Sequence, residues 1–337
     1  MKSFVIKVAK WTLPGTLLCY SVWIGLLICN PSRDTLGLNR LKPFKCNSMV
    51  FGTSRSAQGV KPEVLEKIAP HFGKWLNFSF NLGDSPWNDA YTDAIIEKAE
   101  CSIDPSEAGY FLIFVDPWVL DETCGNGKDS WLQEDWVSVC NVNLFQFAWH
   151  NTSPLGVLGI GAGNDLLSVC VSSVPRQILA FFSGQKQSIM AHGVGRDGWL
   201  SNSTQLSTSE KQRGIDGLVK TYREEKTRGT VWPGKDNYGA LARLIRHLKF
   251  GYPNSQISLV RPPVHQEMIA LENEWFPEAN DWFEQFASRH ELECIDFNDF
   301  LNNKTTLDFN DAHHLSSKGA HQFSAIIAET CLSSPKQ

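Results

Sequence analysis

The sequence lacks any long block of one charge and any cysteine pair with Cys-x-x-Cys spacing. Its formal net charge is −5 at pH 7, whereas surfaces that bind nucleic acid need clustered positive charge. We therefore expect no nucleic-acid partner. Zinc ribbons and thioredoxin-like redox sites use closely spaced cysteine pairs, so neither is expected, and we predict no metal and no other cofactor. No internal repeat is visible, which excludes a solenoid.

Charge is also absent from the segment Trp11–Cys29, a run of nineteen residues that is long enough to cross a bilayer as a helix. Lys2, Lys7 and Lys10 precede it, and the positive-inside rule then places residues 1–10 in the cytoplasm. A cleaved signal peptide is the alternative, but no Ala-x-Ala-like cleavage site follows the run. The sequence predicts a single-pass membrane protein with an extracytoplasmic globular domain.

Nine cysteines are present, and two of them lie inside the apolar run. The other seven could form disulfides outside the cytoplasm, although an odd number leaves one over. The sequence does not determine the pairing.

Residues 30–45 are polar, and we interpret them as a linker to one α/β domain at residues 46–335. Within the domain, short apolar runs alternate with helical patterns, which predicts a doubly wound parallel sheet. The predicted fold is a three-layer α/β/α arrangement, with a flavodoxin-like parallel sheet of about five strands. The predicted strands are 47–51, 76–80, 110–115, 256–260 and 292–297, and the predicted helices include 62–69, 87–99, 238–250, 267–290 and 316–331.

Residues 118–237 interrupt this alternation and contain several tryptophans and a glycine-rich run. We interpret them as a large insertion of helix and loop that covers the crevice. It could act as a lid, as a polymer-binding surface or as an ordinary packing appendage.

Two short motifs supply the groups of a serine nucleophile site. Gly52-Thr53-Ser54-Arg55 follows the first predicted strand, and Asp311-x-x-His314 precedes the last helix. A serine nucleophile needs a base, and the base needs a carboxylate to hold its tautomer. We therefore predict Ser54 as nucleophile, His314 as base and Asp311 as its orienting acid. Polar turns at a strand end and before a helix are the alternative, and Ser56 and His313 are neighbouring competitors.

These motifs resemble the first and last blocks of the SGNH/GDSL hydrolases, in the membrane-anchored branch with a Gly-Thr-Ser-Arg elbow. The resemblance spans roughly residues 46–331, apart from the unmatched insertion. It implies a membrane-anchored serine esterase or O-acyltransferase acting on ester-linked acyl groups, above all acetyl groups, of extracytoplasmic polysaccharide. Partners in a cell-envelope assembly are also implied.

The resemblance implies that the backbone N–H groups of Ser54 and Gly83 form the oxyanion hole. The family's third block, Gly-x-Asn, is replaced by Asp116-Pro117-Trp118, and an ionised carboxylate cannot donate a hydrogen bond. Asn164 is a weak substitute. The missing donor favours an alternative function, a non-catalytic scaffold or polymer-binding subunit of an envelope assembly.

Two arginines, Arg55 and Arg261, follow or end predicted strands. Either could bind an anionic group of the substrate, or only pair with an acid such as Asp116. We carry both forward as candidate substrate-binding residues.

Overall fold

The structure, a computed structural model, describes residues 38–80, 87–121, 192–202, 206–225, 232–301 and 307–332. In these ranges no helix has both the length and the apolar character needed to cross a membrane. The predicted tail and anchor, residues 1–29, lie outside the described residues, and so does most of the predicted insertion.

Five parallel strands form the central sheet, and two further strands pair as a small antiparallel hairpin. The order of the five along the sheet is β2-β1-β3-β6-β7, which is 2-1-3-4-5 in chain order, as in flavodoxin-like sheets. The prediction of a parallel sheet of five strands is confirmed. The strands are β1 Ser48–Phe51, β2 Trp75–Asn77, β3 Tyr110–Phe114, β4 His192–Val194, β5 Leu200–Asn202, β6 Gln256–Arg261 and β7 Glu293–Asp296.

Side chains of the central strands alternate between two apolar clusters, because successive residues of a strand point to opposite faces. Phe51 and Ile113 belong to the cluster on one face, and Val50 and Leu112 to the cluster on the other. Both faces are therefore covered by helices. The helices are α1 Leu38–Leu41, α2 Ser54–Gly59, α3 Pro62–Ile68, α4 Asp89–Ser102, α5 Thr208–Glu225, α6 Lys235–Gly251, α7 Gln266–Trp275, α8 Ala279–Arg289, α9 Phe297–Leu301 and α10 Ser317–Cys331.

Three sequence-based boundaries were wrong. The single helix predicted over 267–290 is two, α7 and α8, separated at Phe276–Glu278 around Pro277, whose ring prevents regular helix at that point. Strand β2 covers 75–77 and not 76–80. The end of the predicted linker belongs to the fold, since Leu41 is fully buried and Arg40 Nε donates to Gly198 O at 3.0 Å.

Helix α5, from the predicted insertion, packs over the end of the sheet that carries the motifs. Its buried Ile215 and Val219 share an apolar cluster with Trp118, with Met268 of α7 and with Ala312. This part of the insertion is therefore integral to the domain.

Candidate active site

The chain turns sharply after β1, at Gly52, and this turn presents Ser54. Gly52 has φ of +154°, and a Cβ added to it would lie 2.7 Å from Phe114 Cβ. The Tyr91 hydroxyl fixes the turn, because it accepts from Gly52 N at 3.0 Å. Ser54 is half-buried and is the first residue of α2.

Thr53 caps α2, since its Oγ1 accepts from Arg55 N at 3.4 Å. No hydrogen bond among the described residues uses the Ser54 backbone N–H, so it is available to stabilise an oxyanion. The competing Ser56 is fully buried, and its hydroxyl donates to Thr53 O at 3.0 Å. It cannot serve as an exposed nucleophile.

The second motif forms a tight loop before α10. Asp311 Oδ1 accepts the backbone N–H of both His313 (2.9 Å) and His314 (2.8 Å), and Asn310 N donates to His314 O at 2.8 Å. Ser316 caps α10, as its side chain accepts from Gly319 N. The loop is therefore held from within, with the His314 ring projecting toward the sheet edge.

The two motifs meet across the crevice. His314 Nδ1 lies 2.8 Å from Asp311 Oδ2, and His314 Nε2 lies 2.9 Å from Ser54 Oγ. These distances match those expected of a serine–histidine–aspartate arrangement. Burial alone would raise the pKa of Asp311, but the hydrogen bonds from His314 and the backbone outweigh burial and hold that pKa below its ordinary value. Asp311 is therefore ionised and holds the proton of His314 on Nδ1.

His313 is not positioned as the base. Its ring stands edge-on to that of His314, with centroids 4.1 Å apart, and packs against Tyr222. Burial, with smaller contributions from His314 and Arg55, keeps the pKa of His313 well below its ordinary value. His313 is therefore neutral, and its Nδ1 is sealed inside without a partner.

Asp311, His313 and His314 also place one potential metal-ligand atom each within 4.8 Å of one another. Two of these groups already hydrogen-bond to each other, and the His313 Nδ1 is closed off from solvent. The arrangement suits proton transfer better than metal coordination.

The predicted oxyanion donors are only partly within view. Gly83 lies outside the described residues. Asp116, at the end of β3, is 3% exposed and accepts from Trp118 N at 3.1 Å and from the Thr53 hydroxyl at 3.3 Å. Burial raises the pKa of Asp116, and Arg55 offsets this only in part. The contacts of Asp116 are those of an acceptor, so it does not replace the missing Asn donor.

Neither arginine reaches a substrate. Arg55 and Arg261 are 6% and 3% exposed. Arg55 Nη1 bonds Glu272 Oε1 at 2.8 Å, and Arg261 bonds Glu272 at 3.1 Å and Asp296 at 3.0 Å. The predicted substrate-binding role does not fit these contacts, because both guanidinium groups point into the protein and are already paired with carboxylates.

Sequence reasoning missed Glu272, a residue of α7 that is 1% exposed and contacts both arginines. No motif marks it, since its importance depends on partners that lie far away in sequence. Tyr91, which holds Gly52, was missed for the same reason. A comparison with models of protein families and with curated proteins found no match to this chain.

Proposed function

We propose that this protein is a serine ester hydrolase or O-acyltransferase in which Ser54 is the nucleophile. The observation that carries the proposal is the continuous contact from Asp311 through His314 to Ser54, at 2.8 and 2.9 Å. The three residues come from opposite ends of the domain. The resemblance of their motifs to those of the SGNH/GDSL hydrolases supports the same chemistry.

In the proposed reaction, Ser54 Oγ attacks the acyl carbon while His314 Nε2 takes the hydroxyl proton. Asp311 stabilises the imidazolium that forms. The backbone N–H of Ser54 stabilises the oxyanion, with Gly83 as the proposed second donor. Collapse of the tetrahedral intermediate breaks the ester bond, and His314 gives its proton to the departing alcohol. Water then releases the acyl group in an esterase, and a sugar hydroxyl accepts it in a transferase.

The proposed substrate is an acylated polysaccharide, with acetyl as the acyl group, outside the cytoplasm. The apolar run Trp11–Cys29 supports a membrane-anchored protein. Cys101, at the end of α4, is disulfide-bonded, and disulfides persist mainly in oxidising compartments. This supports an extracytoplasmic domain. Arg55 and Arg261 are not part of the proposed substrate site.

A non-catalytic scaffold is the second candidate, and Asp116 favours it. An oxyanion hole without the family's Asn donor loses about 10²–10³-fold in rate. Binding of an acylated polymer without turnover would then be the function of the crevice.

Labelling of Ser54 distinguishes the two candidates. The full chain is incubated with an activated acetyl ester and, separately, with a fluorophosphonate probe, and the modified peptide is identified by mass spectrometry. We expect a serine adduct on Ser54, none in Ser54→Ala, and labelling about 10²–10⁴-fold slower in His314→Ala. Ser56→Ala is the matched control and should be labelled normally. Wild-type protein without an adduct would favour the scaffold.

A further inference from the structure

A network of charged side chains lies buried directly behind the nucleophile. Arg55, Asp116, Arg261 and Glu272 are each 6% exposed or less. Removing charges from water is costly, and a buried ionic network is tolerated only where its members satisfy one another. Its place beside Ser54 calls for a role beyond general stability.

Glu272 is the centre of this network. Its Oε1 accepts from Arg55 Nη1 at 2.8 Å and from Trp118 Nε1 at 2.9 Å, and its Oε2 accepts from Arg261 Nη2 at 3.1 Å. These three donors come from the carboxyl ends of β1, β3 and β6. One carboxylate therefore ties together three neighbouring strand ends at the edge where the candidate site lies.

Glu272 is held in its charged form. Burial alone would raise its pKa, but the Arg55 and Arg261 guanidinium groups outweigh burial and lower the pKa below its ordinary value. Arg55 also lies 3.8 Å from Asp116 Oδ2, and that carboxylate accepts from Thr53, the cap of α2. The contacts of Glu272 thus extend to both residues that flank Ser54.

The helix that carries Glu272 also contacts the other half of the site. Its N-cap, His265, donates its backbone N–H to Ala312 O at 2.9 Å, within the loop that holds Asp311 and His314. Met268 of the same helix shares an apolar cluster with Ala312. Helix α7 therefore touches the nucleophile turn at one point and the acid–histidine loop at another.

We propose that Glu272 is a positioning residue that sets the distance between Ser54 and His314 by anchoring the nucleophile turn to helix α7. This inference rests on the proposed serine chemistry and extends it to a residue that does not touch the substrate. A positional error of about 1 Å in a reacting group can cost on the order of 10²-fold in rate. Loss of the Glu272 charge frees Arg55 to move and carries Ser54 away from His314.

The test compares Glu272→Gln with wild type in the full chain. We expect kcat for an activated acetyl ester to fall about 10–100-fold with KM unchanged. Labelling of Ser54 by the fluorophosphonate should slow in parallel. The matched control is Asp296→Asn, which removes a carboxylate from Arg261 but leaves the Arg55 and Trp118 contacts of Glu272 in place. This control should lower Tm without changing kcat.

Trp118→Phe is the second variant, because it removes one donor to Glu272 and keeps the aromatic ring in its cluster. It should give a smaller fall in kcat, and it answers the question if Glu272→Gln fails to fold. Normal kcat in folded Glu272→Gln, or in Trp118→Phe where the first variant is unfolded, overturns the positioning role alone. Wild-type protein without Ser54-dependent turnover overturns the proposed function and this inference together.

Discussion

Asp311 holds both the imidazole of His314 and the backbone that carries it. We expect Asp311→Asn to lower kcat about 10⁴-fold, because an amide facing Nδ1 can donate and so favours the wrong tautomer of His314. The Asn oxygen can still accept the two backbone N–H groups, so Tm should change little. Ester hydrolysis and thermal unfolding of the same preparation measure both effects. Activity within tenfold of wild type would contradict the assigned role of Asp311.

Gly52 is the residue whose missing side chain allows the nucleophile turn. In Gly52→Ala the new Cβ would collide with Ser56 Oγ and Phe114 Cβ at a backbone angle that favours glycine. We expect a loss of roughly 1–3 kcal/mol in the free energy of unfolding, the usual range for overpacking, together with reduced labelling of Ser54. Gly59→Ala is the control, because its Cβ would make only ordinary contact, 3.5 Å from Leu315. Equal stability of the two variants in urea unfolding would refute the steric argument.

At the scale of elements, helix α5 presses on the acid–histidine loop at Gly214. A Cβ there would lie 3.1 Å from Asn310 O, whereas one at Gly217 on the same helix would meet nothing within 4 Å. We expect Gly217→Ala to stabilise the protein by about 0.5–1 kcal/mol through helix propensity, with unchanged activity. Gly214→Ala should gain less and should lower kcat, because Asn310 and Asp311 must shift. An identical gain with full activity in both variants would show that α5 does not constrain the loop.

Local patterns predicted the elements well where a local cause is strong. Tyr110–Phe114 is buried on both faces, and its continuous apolar run predicted a central strand. Pro62 at the first turn of α3 and Ser316 as the cap of α10 were also predicted. Strand β2 was misplaced because the apolar residues that follow it, Phe78 and Phe80, continue the pattern while packing as a turn. Their burial depends on tertiary contacts that alternation alone does not distinguish.

At the scale of the whole molecule, Ser54 and His314 are 260 residues apart, and parallel strand topology explains why motifs so distant could be paired in advance. Glu272 could not be predicted in this way. Its partners Arg55 and Trp118 lie 217 and 154 residues away, and each position alone resembles an ordinary charged or aromatic residue. A motif marks the residues that share one chemistry, whereas a buried ionic contact is specified only by the assembled fold.

The N-terminal segment decides where this active site works. Only eight residues, 30–37, separate the predicted anchor from helix α1, whose Leu41 is buried in the domain. A chain extends at most about 3.6 Å per residue, so the domain must start within roughly 30 Å of the membrane surface. We expect the full-length protein to sediment with membranes after a high-salt wash and to keep its N-terminal sequence. A variant lacking residues 1–29 should move to the soluble fraction with Ser54 labelling intact. Recovery of a soluble mature form that begins near residue 30 would instead identify the segment as a cleaved signal peptide.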